Sequence, residues 1–230
     1  MKTISTTFKR NLAVLIIIAS AVIYFNCDDA GTVVAVTDYC ISGQISGWTL
    51  GAKTLHADIR NKSGASFLWA TCPIDAAGNF NICLSSAVPD STLYASDSLF
   101  YSGCAAGGTA TFNPSDSRGT EIFSLKVYDG DTAIGTLRKK NYTTLTAGSF
   151  YLVYIYANKN VSASGWKYCG NDTLSFDGAA VTGWNKIVKN YTRVDTTAYS
   201  ILYNTTEPPG ATWKYTSYTD EIYMERDYHR

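Results

Sequence analysis

The stretch FLWATCPIDAAGNFNICL, residues 67–84, decides the fold, because its turn residues and its apolar alternation predict the same β-hairpin. Asp75 opens a type I turn and Gly78 stands where a positive φ is needed, which is typical of a three-residue loop closed by a glycine bulge. This loop places Ile74 opposite Phe80, so one face of the hairpin is apolar and the other carries polar residues.

The same register separates the cysteines of the hairpin. Cys72 falls opposite Ile82 on the apolar face, whereas Cys83 points to the other side. The register therefore argues against a Cys72–Cys83 disulfide, and Cys83 could instead meet Cys40 from the first strand. A two-residue loop would reverse this prediction, because it would place Cys72 directly opposite Cys83.

Composition and spacing extend the β pattern along the chain. Seventeen Tyr, nine Phe and five Trp, with only four Glu, favour strands over helices. Strands are predicted at 39–46 and 54–60, and eight more follow near 121–129, 132–138, 149–157, 161–168, 173–177, 184–192, 197–204 and 211–216. Short strands at this spacing are typical of a sandwich or barrel. Residues 150–156 lack polar alternation and predict a central strand covered on both faces.

We therefore predict an all-β protein of two antiparallel β-sandwich domains that follow an N-terminal signal segment. The stretch 85–119 is rich in Ser, Gly, Asp and Pro, which predicts a linker or long loop with the domain boundary near 113–119. The predicted organisation is a signal peptide at 1–26, a tether at 27–38, sandwiches at 39–113 and 120–217, and a charged tail at 218–230.

The N-terminus has the pattern of a targeting segment. Lys2, Lys9 and Arg10 precede an apolar run of about fifteen residues, shorter than the roughly 20 that a membrane span needs. Cys27 follows this run directly, and the segment resembles the signal of bacterial lipoproteins, in which that cysteine becomes the lipidated first residue. The resemblance implies attachment to a membrane through an N-terminal lipid, at the cell surface or outer membrane. Ordinary secretion and an uncleaved anchor are the alternatives.

The charge balance gives no support for a nucleic-acid partner. Nineteen basic and nineteen acidic residues cancel, and loss of residues 1–26 removes three positive charges, which leaves a net charge of −3. The one basic run, Arg138–Lys140, is typical of a solvated strand end.

Six cysteines in an exported chain predict disulfides, and Cys104 and Cys169, both in glycine-rich turns, could pair across the domains.

Two short motifs resemble a known module. Ile41, Gly43 and Ile45 form an I-x-G-x-I strand, and about thirty residues later the hairpin carries D-x-x-G-x-F-x-I from Asp75 to Ile82. Residues 39–84 thereby resemble the carboxypeptidase regulatory-like, or transthyretin-like, β-sandwich module. In that family the module is typically a non-catalytic accessory or adhesive unit, and this is what the resemblance implies here.

The residue types that carry catalysis are sparse. His56 shares a strand face with Asp58, but no nucleophile motif accompanies the pair. The acidic turns at 129–131 and 171–172 lack the longer loop of a calcium site, and no zinc-ligand spacing or phosphate-binding loop occurs, so no metal or cofactor is predicted. Paired carboxylates for a hydrolase would have to meet in the fold, and three of the four Glu lie near the C-terminus.

Aromatic residues are the remaining candidates for ligand binding. Trp48 and Trp166 both lie beside glycine in turns, where an exposed ring could stack on a sugar. We predict a non-enzymatic, exported surface protein that acts as a scaffold, adhesin or assembly subunit, with a protein or carbohydrate partner at the cell surface. The alternative is a carbohydrate-binding module that uses these rings, and a hydrolase is a more distant one.

Overall fold

The structure, a computed structural model, describes residues 38–61, 64–101, 104 and 107–221, without the side chains of residues 101, 220 and 221. The predicted signal peptide, nearly all of the tether and the end of the tail lie outside these residues. Strands dominate the described chain, and its helices are a 3₁₀ turn at Asp90–Thr92, six residues at Ser96–Tyr101 and four at Tyr218–Glu221. The all-β prediction is confirmed.

The described residues form fourteen strands. Their bounds are β1 Tyr39–Gln44, β2 Lys53–Arg60, β3 Ser66–Ile74, β4 Asn79–Leu84, β5 Tyr94–Ala95, β6 Thr111–Asn113, β7 Arg118–Asp129, β8 Thr132–Lys140, β9 Phe150–Ala157, β10 Val161–Cys169, β11 Asp172–Ala180, β12 Gly183–Val194, β13 Tyr199–Asn204 and β14 Thr212–Ser217. The eight strands predicted for the second half correspond to β7–β14, with ends that differ by three residues at most.

The hairpin of β3 and β4 has the predicted register. Ile74 lies opposite Phe80, and both are buried, as is Ile82. Asp75 Oδ1 accepts hydrogen bonds from the backbone N–H groups of residues 77 and 79, at 2.9 and 2.8 Å, and so closes the loop. Gly78 has a φ of 84°, the left-handed conformation that the loop requires. The turn chemistry read from the sequence is confirmed.

The strands join in the order β1-β4-β3-β2-β7-β8-β9-β12-β13-β11-β10-β6, with β14 on β8 and β5 on β7. Most neighbours are antiparallel, but β11 and β13 are parallel, because β13 returns to fill the place between β11 and β12.

Strand β2 pairs with β7, and Ile45 bridges Trp213, so hydrogen bonds join strands from both sides of the predicted boundary. The largest core cluster also takes residues from both sides. The division into two sandwiches stays a prediction.

Strand β9 is covered on both faces, as its sequence predicts. Phe150, Leu152 and Tyr154 pack in the large core cluster that also contains residues of β1–β4, whereas Tyr151 and Ile155 pack in separate clusters on the opposite face. β9 therefore lies between two apolar layers.

The stretch 85–119 is more ordered than the predicted linker. It contains the Ser96–Tyr101 helix and the short strands β5 and β6. Ser117, which is fully buried, donates a hydrogen bond from its Oγ to Ser96 Oγ at 2.8 Å. The start of β7 is thereby fixed against the helix, which forms part of the wall of the cavity described below.

Candidate functional site: a cavity where three strands separate

An opening lies between β7, β8 and β9. The first residues of β7, Gly119–Glu121, pair with β9, and its last residues, Lys126–Asp129, pair with β8. Strands β8 and β9 meet where Lys140 lies opposite Tyr151. Over residues 122–125, all of them described, the only paired neighbour of β7 is β2. The three strands are thus joined at three corners and separate between them.

A β-bulge on β7 accompanies this separation. On the neighbouring strand β2, Asp58 lies opposite Ser124 and the next residue, Ile59, lies opposite Ile122. Phe123 is therefore the extra residue of a bulge. Bulges bend a strand and turn side chains away from the regular alternation, and they are frequent beside functional sites.

The cavity at this opening has a volume of about 590 Å³, within the usual range for small-molecule sites. Aromatic side chains form much of its wall: Phe100, Phe123, Tyr151 and Tyr203. Two of the lining residues are accessible from outside. Ser98 is exposed, and the side chain of Lys126 is 26% exposed, so the cavity communicates with solvent. A molecule the size of a monosaccharide or a substituted benzene ring fits this volume.

Two polar atoms in the cavity wall are buried and have no hydrogen-bond partner. They are Arg60 Nε and Ser124 Oγ. The guanidinium carbon of Arg60 lies 3.3 Å from the centre of the Phe123 ring, a cation–π contact that holds the side chain against the bulge. Burying a donor without a partner costs about 1–3 kcal/mol, so such atoms in a wall indicate a place for water or a ligand.

Two further charges face the same cavity. Lys189 is 9% exposed, and its Nζ lies 5.4 and 5.9 Å from the ring centres of Tyr151 and Tyr203. Glu121 is the one carboxylate among the residues that line the cavity. Burial raises the pKa of Glu121, and the positive charges of Lys189 and Arg60 oppose this shift without cancelling it. The wall thus combines oriented cations with a carboxylate that binds protons more readily than usual.

The structure places Trp48 against the tip of the hairpin. Its Nε1 donates a hydrogen bond to the carbonyl of Gly51 at 2.8 Å, and its ring meets Tyr215 edge to face, with centres 5.7 Å apart. A Cβ added at Gly78 would lie 2.7 Å from the Cβ of Trp48, so the tryptophan also covers the loop glycine. Trp48 is half-buried and anchors this turn.

Trp166 has a different environment, at the outer side of β10. Its ring lies beside that of Tyr168, with centres 4.7 Å apart and planes at 64°. Tyr168 is 51% exposed. The pair is accessible, but its rings are not coplanar, so together they form a corner and not a flat stacking platform. The structure does not bring Trp48 and Trp166 into one site.

The cysteines fall into three groups. Cys40 lies directly opposite Cys83 and forms a disulfide with it, with Cα atoms 4.0 Å apart, and Cys104 forms a second with Cys169, at 4.4 Å. Cys72 is a buried thiol on the apolar face of the hairpin, and burial raises its pKa. Disulfides form in oxidising compartments, so the two bonds point to folding outside a reducing cytosol. Cys27 lies outside the described residues.

The groups considered for catalysis have structural partners. The imidazole of His56 stacks on Tyr128, with ring centres 4.0 Å apart, while Asp58 forms a 2.7 Å ion pair with Lys126. Within the acidic turn at 129–131, Asp129 pairs with Lys53 at 3.3 Å. The side chains of His56, Asp58 and Asp129 are therefore engaged in contacts with other residues of the sheet.

Glu207 lies between two lysines. Its carboxylate oxygens are 2.8 Å from Lys139 and 2.5 Å from Lys186. Burial tends to raise its pKa, but the hydrogen bonds from both lysines outweigh burial and hold the pKa below the usual value.

Among the described residues no group of three or more His, Cys, Asp or Glu is placed to hold a metal ion, and no helix is long and apolar enough to span a membrane.

Sequence reasoning missed the cavity. Two signals for it existed, namely Glu121 next to the apolar pair Ile122-Phe123, and Lys189 directly after Ile187-Val188. Charges at such positions are costly to bury and often have a function.

Comparison of the chain with protein families, curated proteins and solved structures finds no match. The carboxypeptidase regulatory-like and lipoprotein resemblances therefore remain predictions.

Proposed function

We propose that this protein is an exported, lipid-anchored surface component that acts without catalysis, as a scaffold, adhesin or assembly subunit. Its described part is the stable body that faces the surroundings, and Cys27 carries the lipid that holds it to the membrane. A protein or carbohydrate partner at the cell surface completes this role. The distribution of the cysteines is the observation that carries the proposal.

Each cysteine but one has a place in the described structure. Four form the two disulfides, and Cys72 is enclosed in the core. Cys27 is the sixth, and it stands immediately after the apolar N-terminal run. Lipidation gives a chemical role to a cysteine that directly follows a signal-type apolar run, and so it explains the position of Cys27.

The contacts of the polar residues support a non-enzymatic role. His56 is stacked on a tyrosine, Asp58 is paired with Lys126, and Glu207 is held by two lysines. A catalytic acid or base needs a free path to a substrate proton, and these contacts restrict that path for His56, Asp58 and Glu207.

The finer architecture belongs to the same proposal. We infer that residues 39–84 are a carboxypeptidase regulatory-like module and that the chain comprises two sandwich halves. In support, β1 pairs with β4 over its whole length, and Ile41 and Ile45 are buried on the face that the motif predicts. The separate clusters around Tyr191 and Ile187 provide a second core on the far side of β9.

Mass spectrometry of the mature protein from a bacterial membrane fraction tests the anchor. We expect an N-terminus at Cys27 that carries a diacylglyceryl mass, and reduction should add four hydrogens, two for each disulfide. A Cys27→Ala variant is the matched control, and it should leave the membrane fraction while keeping both disulfides. A mature N-terminus at any other residue contradicts the anchored-lipoprotein proposal.

A carbohydrate-binding role is the second candidate, and the pair of partly buried Trp166 and exposed Tyr168 favours it. Aromatic rings at 64° to each other can contact two faces of a bent sugar chain. Glycan-array binding that a Trp166→Ala variant loses and a Trp48→Ala variant keeps would support this candidate. Equal binding by the two variants would remove it.

A further inference from the structure

We propose that the cavity between β7, β8 and β9 binds a small organic molecule through its carboxylate group, with Arg60 holding the carboxylate. This site is separate from the surface role proposed above. It would give the protein a small-molecule ligand in addition to a membrane attachment.

The charges in the wall favour a singly charged anion. Two of the lining cations have carboxylate partners that are not part of the lining, Lys126 with Asp58 and Lys139 with Glu207. The lining carboxylate, Glu121, interacts with the charges of Lys189 and Arg60. Arg138, which lies over the Tyr151 ring at 5.2 Å, is a further cation on this wall. The described lining therefore has an excess of positive charge within a partly desolvated space, where an opposite charge is bound more strongly than in water.

Arg60 has the geometry for a carboxylate. Its guanidinium carbon lies against the Phe123 ring, 3.3 Å from the ring centre, and its Nε is a buried donor without an acceptor. Nε and the adjacent Nη present two parallel N–H groups, which match the two oxygens of a carboxylate. Ser124 Oγ, the second polar atom without a partner, lines the same cavity and can donate to the same ligand.

The rest of the wall suits an organic body. Rings of Phe100, Phe123, Tyr151 and Tyr203 line the same cavity. A ligand that carries a carboxylate on a flat ring would place its charge on Arg60 and its ring among these side chains. A phosphate is a poorer match, because its second negative charge would face Glu121.

Calorimetric titration of the full-length protein with matched probes tests the proposal. The probes are benzoate with its neutral counterpart benzyl alcohol, glucuronate with glucose, and glucose 6-phosphate as the phosphate analogue. We expect at least one carboxylate to bind more tightly than its neutral counterpart and than the phosphate. If neither carboxylate exceeds its neutral counterpart, or if the phosphate binds best, the proposal is overturned.

Variants assign the binding to this cavity. Arg60→Gln should weaken carboxylate binding by about 10- to 100-fold, the usual effect of losing a hydrogen bond between charged groups. Glu121→Gln should strengthen it roughly three- to tenfold, since it removes the one lining carboxylate. Lys159→Gln, which changes a surface cation outside the cavity, should have no effect. Unchanged or weakened binding in Glu121→Gln contradicts the site even if Arg60→Gln fails to fold.

Discussion

The disulfide between Cys40 and Cys83 should stabilise the fold mainly by restricting the unfolded chain. The two residues are 43 positions apart, and the chain-entropy relation for a loop of that length gives about 4 kcal/mol. Both side chains are exposed, so replacing them with alanine removes little buried surface. We therefore expect the Cys40→Ala/Cys83→Ala variant to lose about 4 kcal/mol of unfolding free energy. Urea unfolding without reductant measures this loss.

Single variants and a reductant separate the entropy effect from other causes. Cys40→Ala and Cys83→Ala each break the same bond, so each should lose about as much as the double variant, and the losses should not add. In the presence of a thiol reductant, all of these variants should unfold together with the wild type. A double variant within about 1 kcal/mol of the oxidised wild type would refute the chain-entropy reasoning.

Three other predictions concern single side chains. A Cβ at Gly43 would overlap the indole of Trp213, so Gly43→Ala should cost about 1–3 kcal/mol in urea unfolding, whereas exposed Ser42→Ala should cost almost nothing. The pKa of Glu121 is raised in the fold, so its stabilising contribution is complete below the unfolded pKa near 4.5 and is lost as the pH rises through the folded pKa. Urea unfolding across that range should show a smaller decline for Glu121→Gln than for the wild type, and parallel curves would contradict the burial of this carboxylate. The Cys72 thiol is buried, so a thiol reagent should label it at the rate of unfolding, and rapid labelling of the native protein would show that it is accessible.

The features that could be predicted from the sequence depend on neighbours in the chain. The register of Ile74 and Phe80 follows from the loop between them, because the turn residues fix which positions face each other. The strands β7–β14 follow from alternation and from glycine turns, which are also local. Strand β9 could be identified as central because an unbroken apolar run has no polar face to present to water.

The features that could not be predicted depend on distant parts of the chain. The pairing of β2 with β7 joins residues about seventy positions apart, and nothing in either strand specifies the other. The helix Ser96–Tyr101 has six residues, too few for a helical period to stand out in a polar segment. For Trp48, the glycines beside it indicate a turn correctly, but the burial of its ring depends on Tyr215 from the last strand.

The cavity follows from the topology and not from any one motif. One edge of β7 is shared by β9 at its start and by β8 at its end, while β8 and β9 are themselves joined at Lys140 and Tyr151. Strands β7, β8 and β9 thus pair two at a time in three separate places. The stretches of these strands between those places cannot also pair with each other. Arg60 and Ser124 each place at this opening a buried polar atom that has no hydrogen-bond partner. The opening is thus a consequence of how the sheet closes, and the charged residues around it are the basis of the ligand binding that we propose.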